Sequence, residues 1–196
     1  MMYDLFVKYG SKALQKMFPH EYAKVPLEVD SRYVEYPFAI ESLPHTPCEI
    51  LDVGCSGSMF PLLLQAMGHH VTGLDRRPYP VPTLPFIQSS CTILPFENRC
   101  FDFVTAISTI EHVGISGRYG EEEDPLGDAV TMNEIHRVLK PEGMCILTVP
   151  FGDKFEIVRP YHRVYNRDHL NFIIEGFKVE EEEIAMGQIM MRLKKC

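Results

Sequence analysis

A short segment rich in glycine and serine follows an apolar run near residue 50. From Asp52 to Ser58 it reads Asp-Val-Gly-Cys-Ser-Gly-Ser. Gly54 and Gly57 have no Cβ atom, so the backbone there can turn tightly and approach a ligand closely. The start of a following helix would favour a carboxylate or phosphate at the same place. A tight turn without a ligand gives the same pattern.

Asp75 makes a ligand site the better interpretation of this turn. It ends a second apolar run and lies 23 residues after Asp52. A carboxylate in that position can accept hydrogen bonds from two ribose hydroxyls. A helix cap or a solvated turn aspartate would be the structural alternative. Together, the turn and the carboxylate favour an adenosine-bearing ligand.

The glycine spacing separates the possible ligands. The dinucleotide fingerprint anchored on Gly54 requires glycine at positions 56 and 59, where the chain has Ser56 and Met59. An NAD-linked oxidoreductase is therefore disfavoured, and the Gly-Lys-Ser/Thr of a P-loop is absent. S-adenosylmethionine needs no pyrophosphate cradle, only room for its methionine part and a carboxylate for its ribose.

Alternating strand and helix patterns predict a parallel sheet covered by helices. The predicted strands are 49–53, 70–74, 86–88, 101–107, 144–149, 177–184 and 188–193, and the predicted helices are 5–18, 33–43, 62–67, 128–140 and 170–174. A turn is predicted at 140–143. Residues 1–47 are predicted to be a helical extension that packs on a domain of residues 48–196. Right-handed crossovers would gather the loops at 54–58, 75, 89–92 and 108–112 in one crevice.

Several segments in this order resemble class I S-adenosylmethionine-dependent methyltransferases. They are Ile-Leu-Asp-Val-Gly-Cys at 50–55, Val-Thr-Gly-Leu-Asp at 71–75, Leu-Pro-Phe-Glu-Asn at 94–98, Phe-Asp-Phe-Val at 101–104, Ile-Glu-His-Val at 110–113 and the segment 134–143. A narrower likeness at 108–114, 117–120 and 162–164 is to a little-characterised microbial, type 11-like group. The resemblance implies a Rossmann-like fold with a mostly parallel sheet, helices on both faces and an antiparallel C-terminal strand.

The resemblance also implies site residues, a cofactor and an activity. The cofactor would be S-adenosyl-L-methionine, and the acceptor a small molecule or a sugar-type compound. The implied cofactor-binding residues are Asp52, Gly54, Cys55, Ser56, Gly57, Asp75, Arg76, Ser90, Cys91 and Ser108. Serines at 56 and 58 replace usual glycines, and Ser90 replaces an acidic residue. These departures support an alternative, a non-catalytic S-adenosylmethionine-binding module.

Two residues after the fourth strand are candidates for proton transfer. His112 titrates near neutrality and could take a proton from an acceptor hydroxyl, or could instead shape its loop. Glu111 would orient His112, contact the cofactor or serve the structure. Within the long polar loop 115–128, Arg118 and Tyr119 are predicted to reach the substrate.

Charge and composition limit the classes of partner. Of 196 residues, 19 are Lys or Arg and 27 are Asp or Glu, a net charge of −8 that disfavours general nucleic-acid binding. A local basic cluster suggests an anionic group on the substrate, although pairing with acidic runs explains it equally well. Its members are Arg159, His162, Arg163 and Arg167. We expect free thiols, and we expect neither a membrane segment, a secretory signal nor a metal site. These expectations together suggest a cytoplasmic protein. The sequence does not indicate an oligomeric state.

Overall fold

The computed structural model describes residues 30–117, 119 and 122–196. The helix predicted near residues 5–18 lies outside this part of the chain. The strands are β1 (Glu49–Val53), β2 (His70–Asp75), β3 (Phe86–Gln88), β4 (Phe101–Ile107), β5 (Leu139–Pro150), β6 (Glu156–Val158), β7 (His162–Val164), β8 (Phe177–Ala185) and β9 (Gln188–Lys195). The helices are α1 (Arg32–Glu41), α2 (Phe60–Ala66), α3 (Gly127–Val138) and α4 (Arg167–Ile173), and a 3₁₀ turn spans Ile110–His112.

Seven strands form one mixed sheet in the order β3-β2-β1-β4-β5-β9-β8. The first five are parallel, and β9 inserts antiparallel between β5 and β8. The predicted Rossmann-like architecture is therefore confirmed, including the antiparallel strand near the C-terminus. The strand order reverses beside β1, which places the carboxyl ends of β1 and β4 at the position where such sheets bind ligands.

The two faces of the sheet carry separate hydrophobic cores. Ile50 on β1 packs with residues of α1 and α2, whereas its neighbour Leu51 packs with residues of α3 and α4. Successive side chains of a strand point to opposite faces, so the apolar run of β1 supplies both cores. Helices on both faces hold the sheet edge rigid at the site.

Two regions differ from the prediction. The predicted turn at residues 140–143 lies inside β5, because Leu139 already pairs with Phe101 before Met144 pairs with Phe103. The extra residues form a bulge in which Glu142 adopts φ +65°. The hairpin of β6 and β7 was not predicted, since each strand has only three residues, too few to show a periodic pattern.

The predicted basic cluster is paired within the protein. Arg163 is 1% exposed and forms an ion pair with buried Asp128, with 3.4 Å between Nε and Oδ2. Its Nη1 donates to the Val113 carbonyl, and Tyr165 also donates to Asp128. Arg159 pairs at the surface with Glu123, and Arg167 pairs with Glu182. Pairing with acidic residues therefore accounts for the three arginines.

We expect Arg163→Ala to lower the free energy of unfolding by about 3–5 kcal/mol, because it leaves the buried Asp128 carboxylate without its cation. Urea unfolding followed by circular dichroism measures this change. Arg159→Ala, which breaks an exposed pair, is the matched control and should leave the midpoint almost unchanged. A loss below about 1 kcal/mol for Arg163→Ala would contradict this account of the network.

Candidate active site

A cavity of about 280 Å³ lies at the carboxyl ends of β1, β2 and β4. Its walls come from α1, from the turn after β1, and from the segments that follow β2, β3 and β4. The lining residues are Arg32, Tyr36, Asp52, Val53, Gly54, Ser56, Gly57, Ser58, Phe60, Leu74, Asp75, Arg76, Arg77, Ser89, Cys91, Ile107, Ser108, Thr109, His112, Val113 and Tyr119. The predicted convergence of separate loops in one crevice is thus observed.

Gly54 lies where the carboxyl ends of β1, β2 and β4 meet. Its N–H donates to the Leu74 carbonyl at 2.7 Å, which ties the turn to β2. With φ +78° it adopts a backbone conformation that favours glycine, and a Cβ would lie 2.3 Å from the Thr109 side chain. No larger residue fits between the turn and the segment after β4.

Asp75 meets the same turn from the neighbouring strand. Ser56 N–H donates to Asp75 Oδ2 at 2.9 Å, and Arg77 N–H donates to Oδ1 at 2.8 Å. Arg77 Nε lies 3.4 Å from Oδ1, and its Nη2 donates to the Ser56 carbonyl. A carboxylate has about four acceptor positions, of which these contacts use three, so Oδ2 keeps one for a ligand hydroxyl.

The chemistry of this edge fits an adenosyl ligand. Gly57 lines the cavity with φ +86°, and a Cβ there would meet nothing within 4 Å. Bare backbone therefore borders open space at the cavity. The serine hydroxyls that replace glycines have protein partners: Ser56 Oγ donates to the Arg77 carbonyl, and Ser58 Oγ contacts Tyr36 Oη.

Asp52 lies at the base of the cavity. Its Oδ1 accepts a hydrogen bond of 2.6 Å from Thr105 Oγ1 on β4. Burial raises the pKa of Asp52 to about 7, with a further increase from the negative charge of Asp75 and a decrease from the Thr105 hydrogen bond. The side chain can therefore either hold a proton or accept one near neutral pH.

One hydrogen bond defines the tautomer of the neutral His112 ring. Its Nδ1 lies 2.6 Å from the Tyr161 carbonyl, which can only accept, so Nδ1 carries the hydrogen. In the neutral ring Nε2 then has the lone pair, and it lies 3.6 Å from Glu111 Oε1. Burial raises the pKa of Glu111 to about 8, which keeps this carboxyl protonated at neutral pH.

Helix α1 contributes residues that the sequence analysis did not place in the site. Arg32 and Tyr36 line the cavity, and fully buried Glu35 stands behind them. Glu35 Oε1 accepts from Ser108 Oγ at 2.5 Å and from Thr148 Oγ1 at 2.7 Å. The spacing of positions 32, 35 and 36, which share one helical face, was the available signal.

Most of the predicted site residues line the cavity, while their roles stay predictions. The lining includes Asp52, Gly54, Ser56, Gly57, Asp75, Arg76, Cys91, Ser108 and His112, together with the predicted substrate residue Tyr119. Three predicted residues are not part of it. Cys55 and Glu111 are buried behind the wall, and Ser90 is hydrogen-bonded to Thr92. Arg118 lies outside the described residues.

Comparison with solved structures identifies the architecture. The 1,6-didemethyltoxoflavin-N1-methyltransferase of Burkholderia thailandensis, solved with 1,6-didemethyltoxoflavin and S-adenosylhomocysteine, matches 96% of this chain and 89% of its own at a TM-score of 0.69 and 17% identity. An S-adenosylmethionine-dependent methyltransferase of Methanosarcina mazei matches 82% of this chain and 97% of its own, with a TM-score of 0.62 and 19% identity. The chain has the S-adenosylmethionine-dependent methyltransferase fold.

Sequence relatives of this methyltransferase-fold chain cover less of it. The ubiquinone biosynthesis O-methyltransferase of Rickettsia akari is 29% identical over 111 residues, which is 51% of this chain and 39% of that protein. The chain thus spans about two fifths of the length of this curated relative. A family model described as Caenorhabditis protein of unknown function, DUF268, matches residues 94–184. No helix in the described ranges is long and apolar enough to cross a membrane.

We expect the stability of the protein to fall as the pH rises through the raised pKa of Glu111. The pKa of this carboxyl is about 8 when folded and near its ordinary 4.5 when unfolded. Its contribution is therefore complete below about pH 4.5, decreases as the pH rises above that value and is lost by about pH 8, where the folded group deprotonates. Between about pH 5 and pH 9, the unfolding free energy of wild type should drop by about 2–4 kcal/mol relative to Glu111→Gln.

Urea unfolding of both proteins at each pH measures this difference. The amide introduced by Glu111→Gln resembles the protonated carboxyl and does not titrate, so other groups cancel in the comparison. Glu41→Gln, an exposed change on α1, serves as control and should follow wild type at every pH. Parallel pH profiles for wild type and Glu111→Gln would show that Glu111 does not hold a proton in the folded protein.

Proposed function

We propose that this protein is an S-adenosylmethionine-dependent methyltransferase that methylates a hydroxyl oxygen of a small-molecule or sugar-type acceptor. One observation carries the proposal: the glycine turn after β1 and the Asp75 carboxylate meet at a single cavity. The Ser56 N–H and Asp75 Oδ2 lie 2.9 Å apart, and both residues line that cavity. The fold and the name of the Rickettsia relative support the same activity.

Each part of the ligand has a group on this chain that suits it. Asp75 Oδ2 would accept a ribose hydroxyl, and the backbone at Gly57 would border the ligand closely. Arg32 supplies a guanidinium for the carboxylate of the amino-acid part. When bound, S-adenosylmethionine supplies a methyl group on a positively charged sulfur, which leaves as a neutral thioether when the acceptor oxygen takes the methyl.

His112 gives the proposed reaction its proton acceptor. Its Nε2 has the lone pair, because the Tyr161 carbonyl holds the hydrogen on Nδ1. A hydroxyl that approaches Nε2 can pass its proton there as the oxygen acts as nucleophile. Protonated Glu111 next to this atom does not compete for that proton at neutral pH. A proton acceptor at this position favours a methyl acceptor that must lose a proton, such as a hydroxyl oxygen, over an acceptor that reacts without a base.

The non-catalytic binding module is the second candidate. It rests on the serines at positions 56, 58 and 90, whose side chains would crowd the ligand if they pointed into the cavity. Ser56 and Ser58 direct their hydroxyls to protein groups, and Ser90 is bonded to Thr92 outside the lining. These contacts leave the turn open to a ligand, so they favour the enzyme. The anionic substrate is still a proposal, but the cluster near Arg163 does not support it, because its arginines are paired with acidic residues of the protein.

Calorimetric titration with S-adenosylhomocysteine tests the cofactor site. We expect wild type to bind it and Asp75→Asn to lose about 1–3 kcal/mol of binding free energy, since the amide has only one acceptor oxygen. Asp102→Asn is a matched control, because Asp102 also accepts a backbone N–H at a strand end but lies away from the cavity. Equal affinity of all three proteins would remove Asp75 from the ligand site.

Methyl transfer from S-adenosylmethionine tests the role of His112. A panel of hydroxylated aromatics and sugars provides an acceptor, and His112→Gln should then lower kcat by about 10²–10⁴-fold. Affinity for S-adenosylhomocysteine should stay within about threefold, because the proton acceptor acts on the other substrate. An unchanged kcat would limit His112 to shaping its loop. Turnover of no acceptor by a wild type that binds the cofactor would favour the binding module.

A further inference from the structure

Glu35 is a buried carboxylate that touches both the sheet edge and a cavity-lining cation. It is 0% exposed, although it lies on a helix that covers one face of the sheet. Charged side chains are almost never fully buried unless they are paired. The contacts of Glu35 therefore indicate its role in the structure.

One carboxylate oxygen of Glu35 is fixed by the sheet. Oε1 accepts from Ser108 Oγ, just after β4, and from Thr148 Oγ1 on β5. Ser108 has φ +43°, and its N–H donates to Thr148 Oγ1 at 2.9 Å. Ser108 directly follows β4 and Thr148 is part of β5, so this side of the carboxylate has a defined position at the cavity edge.

The other oxygen of Glu35 faces Arg32. Oε2 accepts from Arg32 Nη1 and from Ser31 Oγ, the latter at 3.0 Å. The guanidinium has five N–H donors in a planar fork, so one bond to Glu35 leaves others directed elsewhere. Arg32 is part of the cavity lining, whereas Glu35 is not.

We propose that Glu35 is a positioning residue that fixes the Arg32 guanidinium at the cavity so that it pairs with the carboxylate of the amino-acid part of the ligand. This inference rests on the proposed function. All four acceptor positions of Glu35 are used, two toward the sheet and two toward α1. Through Glu35, the contacts at β4 and β5 therefore hold the Arg32 guanidinium in one position. Because the side chain is already ordered, less conformational entropy is lost when the ligand binds.

The experiment compares two ligands that differ in one part. S-adenosylhomocysteine has the amino-acid carboxylate, and 5′-methylthioadenosine has the same adenosyl group without it. Titration calorimetry measures both affinities for wild type, Arg32→Gln, Glu35→Gln and the double variant. Glu41→Gln on the same helix is an exposed control. Thermal unfolding establishes that each variant is folded.

We expect Arg32→Gln to weaken S-adenosylhomocysteine about tenfold or more and to leave 5′-methylthioadenosine within about twofold. Glu35→Gln should show the same selective loss, about fivefold, because the amide presents donors to the guanidinium. The double variant should bind no more weakly than Arg32→Gln alone, since both changes remove one interaction. Glu41→Gln should match wild type with both ligands.

A loss that affects both ligands equally in Glu35→Gln would show a structural role and overturn the inference. Unchanged affinity of Arg32→Gln for S-adenosylhomocysteine would also overturn the inference. Because Arg32 is partly exposed, we expect Arg32→Gln to fold, so this result is decisive even if Glu35→Gln does not fold. Failure of wild type to bind either ligand would instead overturn the proposed function. If wild type binds both ligands, the proposed function stands and the variants test only the role of Glu35.

Discussion

The hydrogen bond from the Ser56 N–H to Asp75 Oδ2 is the contact on which the site depends. Parallel pairing places Val53 level with Leu74, so that β1 and β2 end together. Gly54 can then turn sharply, with its N–H on the Leu74 carbonyl, and the next residues meet the Asp75 carboxylate. Backbone donors and a carboxylate are thus held at one edge, where Arg77 bonds both Asp75 and the Ser56 carbonyl, and this is the preorganisation that ligand binding requires.

Three buried carboxyl groups around the cavity are stabilised in different ways. Glu35 uses hydrogen-bond donors and a guanidinium for both oxygens. Glu111 has an Oε2 without a hydrogen-bond partner among the described residues, and burial raises its pKa to about 8, so that a proton removes its charge. Asp52 lies between these cases, with one hydroxyl donor and a pKa raised to about 7. The protein can therefore keep acidic groups beside the cavity without leaving several uncompensated charges.

The sequence predicted the sheet better than the walls of the site. Strands such as β1 and β4 are short apolar runs bounded by turn residues, and their end residues follow from parallel topology. The sequence alone therefore predicts that Gly54 and Asp75 lie close together. Glu35 could not, because its helical spacing resembles that of any amphipathic helix, and only tertiary packing brings it to Thr148, 113 residues away. Likewise, Arg163 reads as a surface cation until its buried partner Asp128 is known.

The side of the cavity at His112 is built by the β6–β7 hairpin and by the segments that precede α3. His112 is oriented by the Tyr161 carbonyl in the β6–β7 hairpin, and Tyr119 packs edge-on against its ring with 5.2 Å between centroids. Arg163 joins that hairpin to the segment before α3 through the carbonyls of Val113 and Asp124. The Arg77 guanidinium also lies over the Tyr119 ring at 4.9 Å from its centroid and bonds Asp75 and the Ser56 carbonyl, so this side is connected to the turn after β1 through one side chain. Under the proposed function, the methyl acceptor binds on this side of the cavity, and the shared sheet does not determine its identity.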